Sequence, residues 1–296
     1  MLFHKYDILD IDASKYSDYA DFVSQLNSCI QKTSKRNYDE VYSEIKIMQK
    51  KCDLIKQAAI RNNDENTANI SFLLNEYLVL LQSIARFWQS CDSLDYPSAW
   101  SFLQDGLDSA RVLGKFLSEP NTHHILDLKA YLQNFEKFFP YAYFCSIEAV
   151  VKKKECSICK RSPFDPACNH IAGNLYYGEM AVNVVTDMEF VAAALVRNPD
   201  DKRCIIEIKC DKQNIQSGPF KLIHQTTKSL VVPYLLFEII LTKRRMSRSF
   251  YGNWPSDSPC PCGSDKKFKE CCSDKEEIEN PHYLIKASKQ LALVQM

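Results

Sequence analysis

The feature that most constrains the fold of this chain is a run of four cysteines within thirteen residues, CPCGSDKKFKECC, at positions 260–272. A segment this short has almost no apolar side chains from which to build a core. Four thiolates satisfy the tetrahedral coordination of a structural zinc ion, and metal binding would then supply most of the folding free energy, on the order of 10 kcal/mol or more. Free or disulfide-linked cysteines are the alternative. The predicted zinc ligands are Cys260, Cys262, Cys271 and Cys272.

Three lysines lie in the loop between the two cysteine pairs: Lys266, Lys267 and Lys269. Their charges offset the formal negative charge of four thiolates around Zn²⁺. They also form a basic face suited to an acidic protein surface or to RNA phosphates, which makes them candidate partner-binding residues. The alternative is that they only balance charge and keep the segment soluble.

The spacing C-x-C-x8-C-C, with GS and KK-aromatic-K between the pairs, resembles the SEC-C motif, whose usual form is close to CPCGSGKKYKKCH. Here Asp265 replaces a small residue, Phe268 stands at the aromatic position, and Cys272 stands where histidine is common. The resemblance implies zinc at the four cysteines. It also implies a docking role, since the SEC-C module of the SecA export motor binds the chaperone SecB and the ribosome. The resemblance covers about 20 residues of the chain.

A second constellation, CSICKRSPFDPACNH at 156–170, has the C-x2-C spacing of a zinc knuckle followed by C-x-H. It resembles zinc-knuckle segments of bacterial and phage proteins, without pointing to one family. A closed structural zinc site is the favoured interpretation. The alternatives are a buried cysteine cluster and a catalytic zinc with Glu179 as the base. The four predicted ligands are Cys156, Cys159, Cys168 and His170.

The composition and the N-terminal sequence indicate the cellular compartment and disfavour some classes of function. The N-terminus lacks the basic start and apolar stretch of a signal peptide, and the longest apolar run, 230–241, is too short to span a bilayer. We therefore expect a cytoplasmic protein without a membrane partner, whose 13 cysteines serve metal sites before disulfides. With 7 glycines in the chain, none fitting a phosphate-binding loop, nucleotide binding through such a loop is disfavoured.

The first half of the chain predicts a helical bundle within residues 1–138, with its helices beginning at about residue 15. Apolar residues recur at steps of three and four in four stretches, and short polar or proline-containing breaks separate them. Such short loops favour antiparallel neighbouring helices. One stripe consists of Val41, Ile45, Met48, Cys52, Ile55 and Ala59.

The rest of the chain predicts an α+β protein with three further parts. Residues 139–250 read as a zinc-braced mixed α/β domain, with strands at 141–151 and 203–210 and a helix at 178–198. The apolar stretch 228–241 is ambiguous between strand and helix. A turn-rich linker at 251–258 leads to the SEC-C module at 259–274, and a polar tail at 275–296 contains a short possible helix.

A metal-dependent nuclease is one alternative function. On a predicted strand, Glu207 and Lys209 would face the same side, as in half of the PD-(D/E)xK pattern. The pattern also needs an upstream acidic residue, for which Asp201 is a candidate. An ordinary pair of charges on a half-exposed strand is the favoured interpretation, so an enzymatic role is less favoured than a non-enzymatic one.

A basic cluster, KRRMSR at 243–248, precedes Phe250, Tyr251 and Trp254. Interleaved cations and aromatic rings are typical of sites that stack single-stranded nucleic acid. A solvated loop is the alternative. The candidate partner-binding residues here are Lys243, Arg244 and Arg245.

Taken together, these patterns predict a bacterial zinc-binding adaptor or assembly subunit that docks a protein partner, or the ribosome or RNA, through its SEC-C module. The alternatives are the nuclease and a nucleic-acid-binding protein of a bacterial defence or stress system. The sequence leaves the partner and the oligomeric state open.

Overall fold

The computed structural model describes residues 4–7, 21–120, 124–216, 218–264 and 266–291. The predicted start of the bundle near residue 15, Asp265 and the last residues of the tail lie outside these ranges. The chain forms two compact units. The helical unit comprises Met1–Tyr234 and Leu291–Met296, and the C-terminal unit comprises Leu235–Gln290.

The helical unit begins with five helices, which confirms the predicted N-terminal bundle. They are α1 (Phe22–Ser34), α2 (Tyr38–Arg61), α3 (Glu65–Asp92), α4 (Tyr96–Phe116) and α5 (Ile125–Glu136). Each helix packs against the next along the chain.

Local signals explain where these helices begin and which face they bury. Asp64 and Asp95 cap α3 and α4 by accepting hydrogen bonds from backbone N–H groups three residues ahead, at 3.0 and 3.2 Å. Pro97 lies in the first turn of α4, where its missing N–H costs nothing. Apart from Tyr38, the buried residues of α2 are the predicted stripe: Val41, Ile45, Met48, Cys52, Ile55 and Ala59.

Helix α3 is the central helix of the bundle. It is long and apolar enough to cross a membrane by length and composition alone, but 72% of its apolar window is buried inside the protein. A long, mostly buried helix of this kind is what the core of a helical bundle requires.

A buried tyrosine hydroxyl joins the bundle to the chain that follows it. The hydroxyl of Tyr131 in α5 accepts hydrogen bonds from Trp88 Nε1 at 2.8 Å and from the backbone N–H of Tyr234 at 3.0 Å. All three residues are almost completely shielded from solvent. Two buried donors therefore depend on one oxygen atom.

We expect Tyr131→Phe to lower the free energy of unfolding by about 2–5 kcal/mol, because an unsatisfied buried donor costs about 1–3 kcal/mol. Tyr42→Phe is the matched control, since the Tyr42 hydroxyl bonds Gln89 Oε1 at the surface, and we expect a change within about 0.5 kcal/mol. Urea unfolding followed by helical circular dichroism measures both. Equal effects of the two variants would contradict the prediction.

After the bundle the chain forms a long two-stranded antiparallel ribbon, β1 (Phe144–Cys156) with β4 (Asn183–Val196). The predicted strand at 141–151 is confirmed. The predicted helix at 178–198 is wrong, because pairing with β1 satisfies the backbone of this β-branched run and overrides the helix propensity of its alanines. We call β1 and β4 the β1–β4 ribbon.

Most side chains of the β1–β4 ribbon are exposed on both faces. In the part of the chain that the structure describes, no third strand joins it. A two-stranded ribbon is only marginally stable by itself, so the contacts at its two ends are needed to hold it in place. At one end Cys145 donates its backbone N–H to Cys204 O at 2.7 Å, and Phe144 stacks on Trp100.

Two other strand predictions need correction. Residues 203–210 form a single bridge, Phe144 to Ile205, and otherwise run as irregular chain. Beyond this bridge and the bond from Cys145 N–H to Cys204 O, the free edge of β1 forms no ladder with them in the described chain. The ambiguous stretch 228–241 contains both structures: helix α6 (Lys221–Leu230) ends within it, and β5 (Leu235–Ser247) begins there.

The C-terminal unit is a second antiparallel hairpin, β5 with β6 (Glu277–Gln290). Residues 243–247 of the basic cluster, for which a solvated loop was the alternative interpretation, are therefore strand. The tail predicted to hold a helix is also strand, because these two segments supply each other's backbone partners. The SEC-C module lies in the connection between the two strands. A small apolar core holds the connection to the hairpin, formed by Tyr251, Cys260, Phe268, Cys272 and Ile278.

Candidate metal centres

The C-terminal cysteines are brought together by tight turns. Gly263 adopts a positive φ of 76° and donates its N–H to Cys260 O at 3.0 Å, which folds the first pair into a knuckle. A short 3-10 helix, Phe268–Glu270, delivers the second pair. Cys260 N–H bonds Lys266 O at 2.8 Å and ties the two halves together.

The sulfur positions fit a four-coordinate metal. One ligand atom from each of the four cysteines lies within 4.8 Å of the others, with Sγ–Sγ distances of 3.5 Å for Cys262–Cys271 and 3.7 Å for Cys271–Cys272. A tetrahedron with zinc–sulfur bonds of about 2.3 Å has edges of about 3.8 Å. All 13 cysteines of the chain are free thiols in the structure, so no disulfide competes for these sulfurs.

The protein environment favours ionisation of one of these thiols. A hydrogen bond from Ser264 lowers the pKa of Cys262 to about 6, whereas burial raises the pKa of Cys260 to about 12. Thiolate ligands must be deprotonated to bind metal. A bound cation would favour the thiolate form of all four cysteines.

Several of the predicted partner-binding cations already have internal partners. Lys267 and Lys269 both pair with Asp257, at 3.2 and 2.9 Å. Arg245 and Lys243 both pair with Glu279, at 3.0 and 3.7 Å. These are exposed pairs of small energy, so the side chains stay available to a partner. The remaining predicted cations, Lys266 and Arg244, are exposed.

A groove of about 700 Å³ lies between the C-terminal cysteine cluster and the β5–β6 hairpin. Cys262 and Cys272 line one side of it, and Leu241, Arg245 and Pro281 line the other. It contains both charged and apolar groups. The groove depends on the cluster, because two of the four cysteines form its wall.

The second cysteine cluster closes the β1–β4 ribbon at the end away from Trp100. Cys156 is the last residue of β1; its N–H bonds Arg161 O at 2.8 Å and its carbonyl accepts from Lys160 N at 2.9 Å. The resulting knuckle places Cys156 and Cys159 beside Cys168 and His170. One ligand atom from each of the four lies within 4.8 Å of the others.

The sulfur–sulfur distance, the hydrogen bonding of the histidine and the pKa of one thiol in this cluster are those expected of metal ligands. Cys159 Sγ lies 3.5 Å from Cys168 Sγ. Nδ1 of His170 is buried and has no hydrogen-bond partner among the described residues, which suits a nitrogen that coordinates an ion. The backbone N–H of Cys159 lowers the pKa of Cys156. This donor set fits a closed Cys3His site.

Glu179 does not extend this cluster into a catalytic centre. Its carboxylate is exposed and pairs with Lys56 Nζ at 3.7 Å. It is not among the grouped ligand side chains of the described chain. The catalytic-zinc alternative therefore finds no support in the position of its proposed base.

The proposed nuclease residues are also apart from any metal cluster. Glu207 and Lys209 are exposed on irregular chain instead of the predicted strand. Asp201 is bound to Arg203, its carboxylate 2.8 Å from Nε, and this guanidinium also pairs with Asp105 and Asp108. Neither acid belongs to a group of metal-ligand side chains in the described ranges.

A small hairpin attaches the loop of the second cluster to the helical bundle. Strands β2 (Leu175–Tyr176) and β3 (Glu179–Met180) are joined by a two-residue turn with positive φ at both Tyr177 and Gly178. Gly178 N–H donates to Asn69 Oδ1 at 2.7 Å, and Asn69 Nδ2 donates to the Tyr6 hydroxyl at 2.8 Å. A buried asparagine within an apolar helix was the sequence signal for this anchor, and our sequence interpretation did not use it.

We expect Gly178→Ala to weaken this anchor. A Cβ atom there would lie 2.7 Å from Ala68 O, and the left-handed conformation costs about 1–2 kcal/mol with a side chain. Thermal unfolding should therefore begin at a lower temperature. Gly114→Ala in α4 is the opposite control, because its Cβ meets nothing within 4 Å and alanine should stabilise the helix by about 0.5–1 kcal/mol. Unchanged stability in Gly178→Ala would contradict the prediction.

Comparison with known proteins identifies one segment. The SEC-C motif family model matches residues 258–274, so the chain carries a SEC-C motif around its C-terminal cysteine cluster. No curated protein and no solved structure matches the chain.

Proposed function

We propose that this protein is a zinc-dependent adaptor whose SEC-C module docks a protein partner. The observation that carries the proposal is the four-cysteine cluster within a SEC-C motif, built into the wall of a groove on the β5–β6 hairpin. Four sulfur ligands at tetrahedral spacing favour zinc over magnesium or calcium, which take oxygen ligands. The second cluster, with three sulfurs and one nitrogen, favours zinc for the same reason.

The role of the metal in this proposal is structural. Each cluster offers four ligand side chains, enough to fill every position of a tetrahedral zinc ion and to leave none open for a substrate. In the C-terminal unit the metal holds Cys262 and Cys272 against the hairpin, and this fixes the shape of the groove. The adaptor function therefore depends on zinc because the ion maintains the shape of the groove.

The groove favours a partner segment with both acidic and apolar side chains. Lys243, Arg245 and Lys275 supply cations, and Leu241 and Pro281 supply apolar surface. Glu277 and Glu279 also line it, so an excess of negative charge in the partner is not required. The free thiols support a reducing compartment, for which the cytoplasm is the proposal.

The test is affinity capture from a bacterial lysate with three purified forms of the full chain. Wild type should retain a reproducible partner that Cys271→Ser combined with Cys272→Ser loses. Leu241→Glu should also lose it while keeping its zinc, which separates the groove from the metal. If the same proteins are captured at the same yield by all three forms, the adaptor proposal is wrong.

A further inference from the structure

A second groove, of about 560 Å³, lies beside the cysteine cluster at the end of the β1–β4 ribbon. Its lining includes four lysines and an aromatic ring. Glu155 is the acidic side chain among the lining residues. The residues that matter here are Lys152, Lys153, Lys154, Lys160 and Phe164. We call this site the lysine groove.

Strand irregularity explains how consecutive lysines reach one groove. Successive side chains of a regular strand point to opposite faces. The pairing of β1 with β4 shifts register between Val151 and Lys153 and again between Lys153 and Lys154. Bulges of this kind re-aim side chains next to binding sites. The three lysines of β1 therefore line the same groove.

Most of the lysine side chains in the lysine groove form no ion pair among the described residues. The ammonium groups of Lys153 and Lys154 have no hydrogen-bond or ion-pair partner among the described residues, and both side chains are exposed. Lys160 Nζ donates to Ser157 O at 2.7 Å and keeps its charge. Lys152 pairs with Glu189 at 2.8 Å on the surface. The groove thus concentrates positive charge on a chain whose net charge is zero.

The aromatic ring is held out in solvent by an ordered loop. Phe164 is 89% exposed. Its loop runs between Cys159 and Cys168, two of the clustered ligands, and is closed internally by Asp165 N–H to Ser162 O at 3.0 Å and by Arg161 to Ala167 O at 2.8 Å. A phenylalanine left this exposed does not gain the free energy that burial of its ring would contribute. A flat partner that covers the ring would recover this free energy.

We propose that the lysine groove binds single-stranded nucleic acid, with phosphates at Lys153, Lys154 and Lys160 and a base stacked on Phe164. Single strands offer phosphates and exposed base faces side by side, which is what a basic groove with a protruding ring recognises. A duplex hides its base faces within the stack. An acidic peptide satisfies the lysines but offers no regular flat group to the ring.

This inference concerns the helical unit and is independent of the adaptor proposal, which concerns the C-terminal unit. The basic cluster at 243–248 was the nucleic-acid candidate from the sequence. In the structure Arg245 and Lys243 share Glu279, and Arg248 covers the Phe268 ring at 4.9 Å. In the lysine groove four lysines face one acidic side chain among the lining residues, beside an exposed ring, so this groove is the stronger candidate.

The test is fluorescence anisotropy of labelled RNA and DNA strands of about 12 nucleotides, a typical site size, with the purified full chain and its metal. Wild type should bind at about 50 mM salt and weaken steeply as salt rises. Phe164→Ala should weaken binding roughly five- to hundredfold, as loss of one base stack does, and Phe164→Trp should preserve it. Lys153→Ala combined with Lys154→Ala should reduce the log–log salt slope by about 1–1.5.

Lys46→Ala combined with Lys50→Ala is the charge-matched control, since both lysines are exposed on α2, and it should bind as wild type does. Metal counted on the intact ion shows that the groove variants remain folded at the cluster. Three results would each overturn the proposal: no binding at low salt, equal affinity for the matching duplex, or binding that the Phe164→Ala and Lys153/Lys154 variants leave unchanged. Competition by polyglutamate as strong as by the strand itself would assign the groove to acidic proteins and also overturn it.

Discussion

We expect the replacement of Cys260 and Cys272 by serine to abolish metal binding at the C-terminal cluster, with the loss of one zinc ion per chain, and to unfold the SEC-C connection between β5 and β6. Both thiols are buried in the small core that holds this connection to the hairpin, together with Tyr251, Phe268 and Ile278. Such a core is too small to stabilise the segment alone, and a structural zinc contributes on the order of 10 kcal/mol. The effect on the C-terminal unit is therefore the largest that we expect from any pair of substitutions.

Native mass spectrometry of the intact chain measures this directly. Wild type should carry two zinc ions and the variant one. Limited proteolysis should cut the variant within residues 248–276 while the helical bundle stays resistant. Cys145→Ser combined with Cys204→Ser is the matched control, since both thiols are exposed and outside the clusters, and it should keep two ions. A Cys260/Cys272 variant that still carries two would show that these thiols are not ligands.

Replacing Cys156 and Cys159 by serine will remove the other zinc ion and release the loop 157–182 from the bundle. This loop buries few apolar side chains, so the metal and the hydrogen bonds to Asn63, Glu65, Asn69 and Lys115 are its main restraints. Loss of two such hydrogen bonds costs about 2 kcal/mol. The melting temperature of the helical unit should fall by about 4–8 °C.

Hydrogen exchange gives the local readout for this second variant. Amides of residues 173–182 should exchange much faster, whereas amides in the middle of α3 should change little. The Cys145/Cys204 double serine variant again serves as the control and should exchange as wild type does. Protection of the Gly178 amide that survives loss of the metal would mean that the hairpin docks without the cluster, and the prediction would then be wrong.

The helices were predictable because their signals are local. The stripe from Val41 to Ala59 repeats every three or four residues, and Asp95 with Pro97 marks the start of α4 within three positions. Each helix satisfies its own backbone, so periodicity and capping residues are enough to identify it.

The two hairpins were harder to predict because each strand needs a distant partner. The run Asn183–Val196 contains three alanines in a row and reads as a helix until β1, whose paired residues lie 27 to 52 positions earlier, supplies its hydrogen bonds. Residues 243–248 look like a basic loop for the same reason, since their partners lie beyond the cysteine cluster at 277–281. Pairing across such distances leaves little trace in a local window.

Both cysteine clusters were predictable as groups because their ligands are close in sequence and few other roles require that spacing. The lysine groove was not. Three consecutive lysines on a strand should alternate between its faces, and only the register shifts around Lys153 bring them together. Phe164 is one of 16 phenylalanines, and its exposure is a property of the folded loop.

The C-terminal unit is one continuous segment of the chain, and the two ends of this segment lie next to each other. The chain leaves the helical unit at Tyr234 and re-enters it at Leu291, whose N–H bonds Tyr234 O at 3.0 Å. Residues 235–290 thus form a cassette inserted at one point of the helical unit, and the entropic cost of closing such a loop grows only slowly with its length. The cassette is therefore portable: a short glycine-serine bridge could replace it in this chain, and a tight turn in an unrelated protein could accept it.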